Sequence, residues 1–355
     1  MTLLLSFEDA LKLCFSWGGL TALASGLVFG GICSALLGER RCTDLRKLRW
    51  RALCASCLTA VYSMALMLLL RAEYPLLAPF DLVVRHLTLL SFHCFLFVAT
   101  VEDFRTMTVK HFILVAPAFV AFPLMILSPA SSLLSEVPPH VFVGPFPFSD
   151  DNPIVNATPS SLVVIVLLAI TIVTFSLTRM DLIFRLMGNR RSFVPLLLVP
   201  RLLARENPPI QIAVAFTITT FGTLGVWIIG GDTWTIFATA VLGSASAGAV
   251  PFVITSIASP IFGKQAMGSG DTLFVLSAGT MIGQFAGMPL LIFTSFTGVG
   301  WAILLASARK IRRQPASVPV IPFIPMLGLG AWLATLFWPA VLELPEVVLK
   351  WDFGW

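Results

Sequence analysis

Two aspartates lie at the ends of apolar segments, where a carboxyl group is costly unless it has a function. Asp103 ends one segment in Val-Glu-Asp-Phe-Arg, and Asp271 begins another in Gly-Ser-Gly-Asp-Thr. Acidic groups near membrane depth are functional candidates by default. If the two carboxyls meet, they cannot easily both ionise, so one keeps a proton. The ionised carboxyl can then activate a water molecule while the other donates to a carbonyl oxygen, which is the chemistry of aspartic peptidases.

Two glycines directly precede the second aspartate. Gly268 and Gly270 lack a Cβ atom, so the chain there can adopt unusual dihedral angles and approach a substrate backbone closely. A carboxylate at the start of a helix also lies near the positive end of the helix dipole. The alternative interpretation of Asp271 is an ordinary helix N-cap, which the tetrapeptide Gly-x-Gly-Asp alone favours.

Further glycines follow the second aspartate at a spacing of four residues. Gly279, Gly283 and Gly287 form a stripe of small residues on one helix face. In lipid, such a stripe allows two helices to pack closely. We therefore expect Gly279 and Gly283 to support the site through their backbone.

The elements that position these residues are predicted to be membrane helices. Of the 355 residues, 57% are hydrophobic and only 12% are charged, whereas soluble domains carry about 25% charged residues. Apolar runs of roughly 17–25 residues recur along the chain, which is the length that a helix needs to cross a bilayer. Helices satisfy their own backbone polar groups in lipid. We predict an all-α fold, a polytopic transmembrane helical bundle.

The apolar runs predict about ten spans. They are approximately residues 15–37, 52–70, 86–102, 112–128, 162–178, 210–229, 235–258, 272–287, 289–306 and 318–338. With the N-terminus outside, the inside segments hold 19 of the 23 Lys and Arg residues, as expected of cytoplasmic loops. Asp103 and Asp271 both fall on the inside, although 168 positions separate them. That shared depth would allow the two carboxyls to meet.

The chain resembles the prepilin peptidase (type IV leader peptidase) family, a group of GxGD-type membrane aspartic peptidases. One likeness is the stretch 268–271, Gly-Ser-Gly-Asp, followed by an apolar helix with Gly279 and Gly283. Another is the stretch 320–330, Val-Ile-Pro-Phe-Ile-Pro-Met-Leu-Gly-Leu-Gly, which follows the basic segment 309–313. In the family, an Ile-Pro-Phe-Gly-Pro-type stretch follows a basic cytoplasmic loop.

The resemblance is strongest over residues 235–335 and looser over residues 86–128. It implies that Asp103 and Asp271 are the catalytic pair and that Pro322 and Pro325 support the site. It also implies substrates that resemble prepilins, with a short basic leader ending in Gly before an apolar helix. Cleavage would occur at the cytoplasmic face of the inner (cytoplasmic) membrane.

The family resemblance also divides the chain. It suggests N-terminal membrane helices over residues 1–85 and a catalytic membrane domain over residues 86–338. Spans and loops over residues 129–230 are inserted in that domain, and a tail covers residues 339–355. We expect membrane lipid as a partner and no nucleic acid, because the membrane topology already accounts for the basic residues.

Several positions depart from the family pattern. The Lys that usually lies two residues after the second aspartate is Leu273, and the Gly of the proline motif is Ile324. The Ile-Pro-Asn after the first aspartate is replaced by residues 109–111, Val-Lys-His. The chain also lacks the cytoplasmic loop with two Cys-x-x-Cys pairs that bifunctional members carry, so we expect no methyltransferase activity.

No cofactor or metal is expected, since the four histidines are scattered and only Cys54 and Cys57 form a Cys-x-x-Cys pair. Two other functions remain open. Presenilin and signal-peptide-peptidase proteases share Gly-x-Gly-Asp, but they have Tyr-Asp at the first motif, where this chain has Glu102, and a Pro-Ala-Leu element. A transporter or a non-catalytic membrane scaffold could also carry broken helices and intramembrane carboxylates.

Overall fold

The structure is a computed structural model that describes residues 16–37, 45–106, 109–136, 217, 221–262, 267–286, 288–311 and 323–341. Within these ranges the chain forms helices joined by turns and bends, with no β-strand. The predicted all-α fold is therefore confirmed for this part of the chain. The predicted span 162–178, half of the span 210–229 and the start of the span 318–338 lie outside the described residues.

The chain divides into two compact units, Met1–Ser135 and Glu136–Trp355. Asp103 belongs to the first unit and Asp271 to the second. The two units are described separately below. The division at residue 85, which rests on the resemblance, stays a prediction.

The first unit contains four long helices. They are α1 (Trp17–Leu37), α2 (Leu45–Glu73), α3 (Pro79–Thr106) and α4 (His111–Leu127), followed by the short 3-10 helices Pro129–Ser131 and Leu133–Glu136. Helix α3 packs against α1, α2 and α4, and it is the most buried of the four. The carboxyl-terminal end of α3 carries Asp103.

Helices α1 and α2 approach closely because small residues face each other. A Cβ atom added at Gly26 would lie 2.5 Å from the Cα atom of Ala60, and one at Gly30 would lie 2.4 Å from that of Ser56. Real side chains essentially never approach so closely, so both positions require glycine. This is the small-residue packing that brings helices together in lipid, where hydrophobic burial gives no driving force between them.

Helix α3 begins at Pro79, seven residues before the predicted span at 86, and includes two charged residues near its start. The Asp81 carboxylate accepts a hydrogen bond of 2.5 Å from the Ser128 hydroxyl. The Arg85 side chain is 1% exposed. Its guanidinium donates to the carbonyl oxygens of the turn after α4, at Ala130, Ser131 and Ser132. Asp81 and Arg85 are charged residues that end the apolar run in the sequence. Because they have these hydrogen-bond partners, they can nevertheless lie inside helix α3.

Polar side chains also join α2 to α3. The Tyr62 hydroxyl lies 2.6 Å from Nδ1 of His93, and the Ser63 hydroxyl lies 3.0 Å from Nε2 of His86. The Ser63 hydroxyl also donates to the Ala22 carbonyl of α1 at 2.6 Å. Buried polar groups are tolerated when they are hydrogen-bonded, so these contacts fix how α1, α2 and α3 pack.

In the second unit, residues 221–229 are helical. They are followed by α5 (Gly231–Phe262), α6 (Ser269–Ile282), the 3-10 helix Gly283–Ala286, α7 (Met288–Ile311) and α8 (Ile324–Leu336). Helix α6 is short and packs between α5 and α8. Asp271 lies in the first turn of α6.

Four of the described helices are long and apolar enough to cross a membrane. They are Trp17–Leu37, Arg49–Glu73, Pro79–Thr106 and Gly231–Thr255. Four shorter apolar helices accompany them, Ile113–Leu127, Gly270–Ile282, Leu290–Leu304 and Ile324–Leu336. The chain is accordingly a multi-pass membrane protein, and the count of ten spans stays a prediction.

Candidate functional site

Asp103 lies in the last turn of α3 and is 6% exposed. It is the only acidic side chain that the structure buries this fully within the described residues. An ionised carboxylate in such a place has lost most of its hydration, which is expensive unless other groups replace it. Burial at the end of a helix is therefore consistent with a functional carboxyl and not with a solvated surface acid.

The end of α3 is tied to the neighbouring helices on both sides of Asp103. Glu102 forms an ion pair with Lys110, which immediately precedes α4, with 3.6 Å between Nζ and Oε1. Arg105 donates to the Leu37 carbonyl at the end of α1, at 3.4 Å. These contacts hold the turn that carries Asp103 against α1 and the start of α4. Lys110, in the segment Val109-Lys110-His111, supplies the cation of this pair.

Asp271 is the third residue of α6, since the helix begins at Ser269 and Gly268 is its N-cap residue. Its Oδ2 atom accepts a hydrogen bond of 3.0 Å from the Gly268 amide. A side chain at this position that reaches back to the N-cap amide is one half of a capping box. The carboxylate also lies where the helix dipole favours negative charge. Asp271 thus stabilises the helix start from inside the helix, and it is not the N-cap residue itself.

Gly268 has φ −70° and ψ 149°, an extended conformation that any residue adopts. The unusual dihedral angles that glycine permits are therefore not used here. What glycine provides is space, because a Cβ atom would lie 3.0 Å from Oδ2 of Asp271. Gly270 is the second helical residue and is partly exposed.

Gly279 and Gly283 lie where α6 crosses α5. A Cβ atom added at Gly279 would lie 2.6 Å from the Cα atom of Ser244, and one at Gly243 would lie 2.6 Å from the Cα atom of Gly283. Gly283 also has φ 59°, a left-handed conformation that favours glycine, and it ends α6.

The Ser244 hydroxyl donates to the Leu276 carbonyl at 2.6 Å. This crossing, the α5–α6 seam, fixes α6 and with it Asp271. Gly287 lies outside the described residues.

The proline motif is described in part. Pro325 is buried at the second position of α8, where its lack of an amide proton costs no helical hydrogen bond. Pro322 lies outside the described residues. Helix α8 packs against α6 and α7, so Pro325 lies in a helix that contacts the helix of Asp271.

The position two residues after Asp271 is closed to solvent. Leu273 is 0% exposed within the second unit. An ammonium group there would be stripped of water, which is costly without a paired anion. The surroundings of α6 in this chain are therefore adapted to an apolar side chain two residues after Asp271.

Two buried threonines, one on α5 and one next to Asp271 in the sequence, were not singled out from the sequence. Thr255 of α5 and Thr272 of α6 are both 0% exposed. Neither hydroxyl has a hydrogen-bond partner in the described part of the chain. A sequence signal exists, since each lies on the face of its helix that carries the small residues of the seam. Threonine at such a position is, however, usually only a small packing residue.

A metal site is not indicated by the described side chains, which form no group of three or more His, Cys, Asp or Glu residues. Comparison of the chain with known protein families, with curated proteins and with solved structures finds no match. The likeness to prepilin peptidases thus rests on the motifs quoted above.

Proposed function

We propose that the protein is an aspartic endopeptidase of the cytoplasmic membrane that cleaves short basic leader peptides from prepilin-like proteins. The observation that carries the proposal is the position of Asp271. It lies in the first turn of an apolar helix, after Gly-x-Gly, with its carboxylate oriented by the Gly268 amide. Asp103, buried in the last turn of α3, is the partner carboxyl in the proposal.

The proposed mechanism needs the two carboxyls within about 6 Å of each other, so that one proton is shared between them. The ionised carboxyl removes a proton from a water molecule, which attacks the scissile carbonyl carbon. The protonated carboxyl donates to the carbonyl oxygen as the tetrahedral intermediate forms. The titration then belongs to the pair and not to either residue alone.

The substrate class is what the resemblance to prepilin peptidases implies, and the predicted location of the reaction is consistent with it. The predicted ten-span topology with an external N-terminus would put both aspartates at the cytoplasmic face. A leader rich in Lys and Arg stays on that face, in keeping with the positive-inside rule. An apolar helix after the leader enters the bilayer and holds the scissile bond at the membrane edge, where water is available. Leaders ending in Gly are what the resemblance implies, and a residue without a Cβ atom allows the catalytic groups to approach the scissile bond closely.

The proposal is tested by co-expressing the full chain with a prepilin-like reporter and measuring leader removal by mass spectrometry. Wild type should process the reporter, and both Asp103→Asn and Asp271→Asn should abolish processing without loss of the protein from the membrane. Asp232→Asn is the matched control, since Asp232 is also an aspartate in the first turn of a helix of the second unit.

Processing that persists unchanged in both aspartate variants would reject the proposal. Absence of processing by wild type, with a reporter that a known prepilin peptidase cleaves, would favour the transporter or scaffold interpretation.

A further inference from the structure

Helix α2 begins with a basic stretch that extends beyond its apolar part. The helix starts at Leu45, whereas the segment that is apolar enough to cross a membrane is Arg49–Glu73. Its first seven residues read Leu-Arg-Lys-Leu-Arg-Trp-Arg, and its first turn contains no acidic residue. Arg49 and Arg51 are both exposed. The start of α2 therefore presents positive charge at the level where a membrane helix passes from the hydrocarbon core into the headgroup region.

The packing of α1 on α2 shows which other residues lie at this level. The two helices run antiparallel, because the higher-numbered contact residue of α1 meets the lower-numbered one of α2. From the contact between Gly30 and Ser56, seven residues onward in α1 and seven residues back in α2 lead to Leu37 and Arg49. Arg105 of α3 donates to the Leu37 carbonyl at 3.4 Å. Helices α2 and α3 thus contribute arginines to the same end of the first unit.

The exposed charge of the described side chains at this end is positive. Arg49, Arg51 and Arg105, here called the basic end, are all exposed. Of the two acids in the last turn of α3, Asp103 is buried and Glu102 is paired with a lysine. A guanidinium presents its donors as a planar fork that matches phosphate oxygens. The basic end is therefore suited to a phosphate group.

An exposed apolar stripe runs along α2 from the basic end. Its members are Trp50, Leu53, Leu58 and Val61, each at least 55% exposed. Their spacing places them on one face of the helix. From Trp50 to Val61 the stripe is roughly 16 Å long at 1.5 Å per residue, which is about half of the 30 Å hydrocarbon core and so the depth of one leaflet. Its length therefore matches the acyl chains of a single lipid.

Trp50 lies where the stripe meets the basic end. Arg49 and Arg51 directly flank it in the sequence, and at 100° per residue they project to either side of the stripe. Tryptophan is enriched at membrane interfaces because its ring has an apolar body and a polar edge. The positive-inside rule accounts for basic residues in this segment, but it does not require an exposed tryptophan and an apolar stripe beside them.

We propose that the basic end and the stripe bind one anionic phospholipid, with its phosphate on Arg49 and Arg51 and its acyl chains along the stripe. The site is open to the bilayer, so the lipid lies on the surface of the first unit. Net negative charge on the headgroup is what distinguishes this lipid from a zwitterionic one, since the basic end carries the complementary charge. The inference does not depend on the proposed peptidase function.

The binding test uses the purified full chain in a neutral detergent. Phosphatidylglycerol or phosphatidylcholine is added, and bound lipid is measured by native mass spectrometry. Each basic residue near an anionic headgroup contributes about fivefold in affinity, so we expect phosphatidylglycerol to bind about thirtyfold more tightly than phosphatidylcholine. Arg49→Gln combined with Arg51→Gln should remove this preference.

Two control variants separate charge from other effects of substitution. Arg49→Lys combined with Arg51→Lys keeps both charges and should retain most of the preference for phosphatidylglycerol. Arg71→Gln removes an exposed arginine at the other end of α2 and should leave it unchanged. Excess inorganic phosphate should not displace the lipid, because phosphate has no acyl chains to lie along the stripe.

A second test locates the lipid. The full chain is placed in bilayers of phosphatidylcholine with a small fraction of phosphatidylglycerol that carries a photoreactive diazirine on an acyl chain. Labelled residues are identified by mass spectrometry. We expect strong labelling of the stripe that falls in the double Gln variant. Labelling of Phe296 and Val299, which are exposed on α7, should be weaker and equal in both proteins.

Three results would overturn the lipid site. One is equal affinity of wild type for the two lipids, or a preference that survives in the double Gln variant. Another is displacement of phosphatidylglycerol by inorganic phosphate, which would show a simple anion site. The third is labelling of the stripe that does not respond to the loss of the two arginines. Cleavage of a leader peptide enters none of these measurements, so the peptidase proposal and the lipid site can fail separately.

Discussion

The Gly268 amide donates a hydrogen bond to the Asp271 carboxylate, with 3.0 Å between N and Oδ2. This contact fixes the orientation of the carboxylate relative to the axis of α6. It also shows that Asp271 has a structural role in addition to the proposed catalytic one. The two roles predict different consequences for stability and for activity.

Replacing Asp271 should affect activity far more than stability. Asp271→Ala removes the bond to Gly268 and the interaction with the helix dipole, so we expect the second unit to lose about 1 kcal/mol of unfolding free energy or less. Leader processing should disappear. Thermal unfolding in detergent and the processing assay measure the two effects. Asp232→Ala should leave processing intact, and a large loss of stability in Asp271→Ala would show that the capping role dominates.

The α5–α6 seam should tolerate no side chain at Gly279. Gly279→Ala puts a methyl group 2.6 Å from the Cα atom of Ser244, so the two helices must separate. We expect a cost of about 1–3 kcal/mol, as for other overpacked cores, and reduced activity because α6 moves.

Gly298 in α7 is the matched control. A Cβ atom there would meet nothing within 4 Å. Gly298→Ala should be neutral, or stabilising by up to about 1 kcal/mol, because alanine is the better helix former. Equal melting temperatures for the two variants would contradict the close packing of α5 and α6.

The fold was predictable from the sequence where apolar runs are long and uninterrupted. Helices α1, α2 and α5 contain the predicted spans 15–37, 52–70 and 235–258 to within a few residues. The predicted start of α3 was wrong, because a hydropathy profile treats the charged residues Asp81 and Arg85 as lying outside a span. Their partners, Ser128 and the carbonyls of the turn after α4, lie more than 40 residues away in the chain. Only the folded structure brings these groups together.

The site was predictable at the level of residue types and less so at the level of contacts. The tetrapeptide at the start of α6 indicated a carboxylate in the first turn, but not that Gly268 would be the N-cap. The seam was expected from the spacing of Gly279 and Gly283, whereas its partners Gly243 and Ser244 were not. The place of Thr272 on the seam face of α6 was readable from the spacing, but its unsatisfied hydroxyl was not, since whether a hydroxyl is satisfied depends on tertiary contacts.

Arg85 should be essential to the stability of the first unit. Arg85→Met keeps the apolar bulk but removes the guanidinium hydrogen bonds to Ala130, Ser131 and Ser132, so we expect a loss of about 3 kcal/mol. The Ser132 carbonyl keeps its bonds from Ser135. Arg85→Lys should recover little of this, because an ammonium cannot reproduce the planar fork of donors.

The control for Arg85 is Arg71, an exposed residue at the end of α2. Arg71→Met should change the melting temperature of the protein in detergent by very little. If Arg85→Met melts at the wild-type temperature, the guanidinium contacts do not hold α3 to the turn after α4.

The central claim is that Asp103 and Asp271 meet in one site, and a disulfide cross-link tests it most directly. Asp103→Cys combined with Asp271→Cys is oxidised in native membranes, and the linked peptides are identified by mass spectrometry. A direct disulfide requires Cα atoms within about 7 Å, and two carboxyls can meet across a longer Cα separation. A short bifunctional thiol cross-linker is therefore applied alongside oxidation, and a link by either route counts. The control pair is Asp81→Cys with Asp271→Cys, since Asp81 lies at the opposite end of α3. We predict a cross-link between positions 103 and 271 and none in the control pair. Its absence, or an equal cross-link from position 81, would contradict the two-aspartate account.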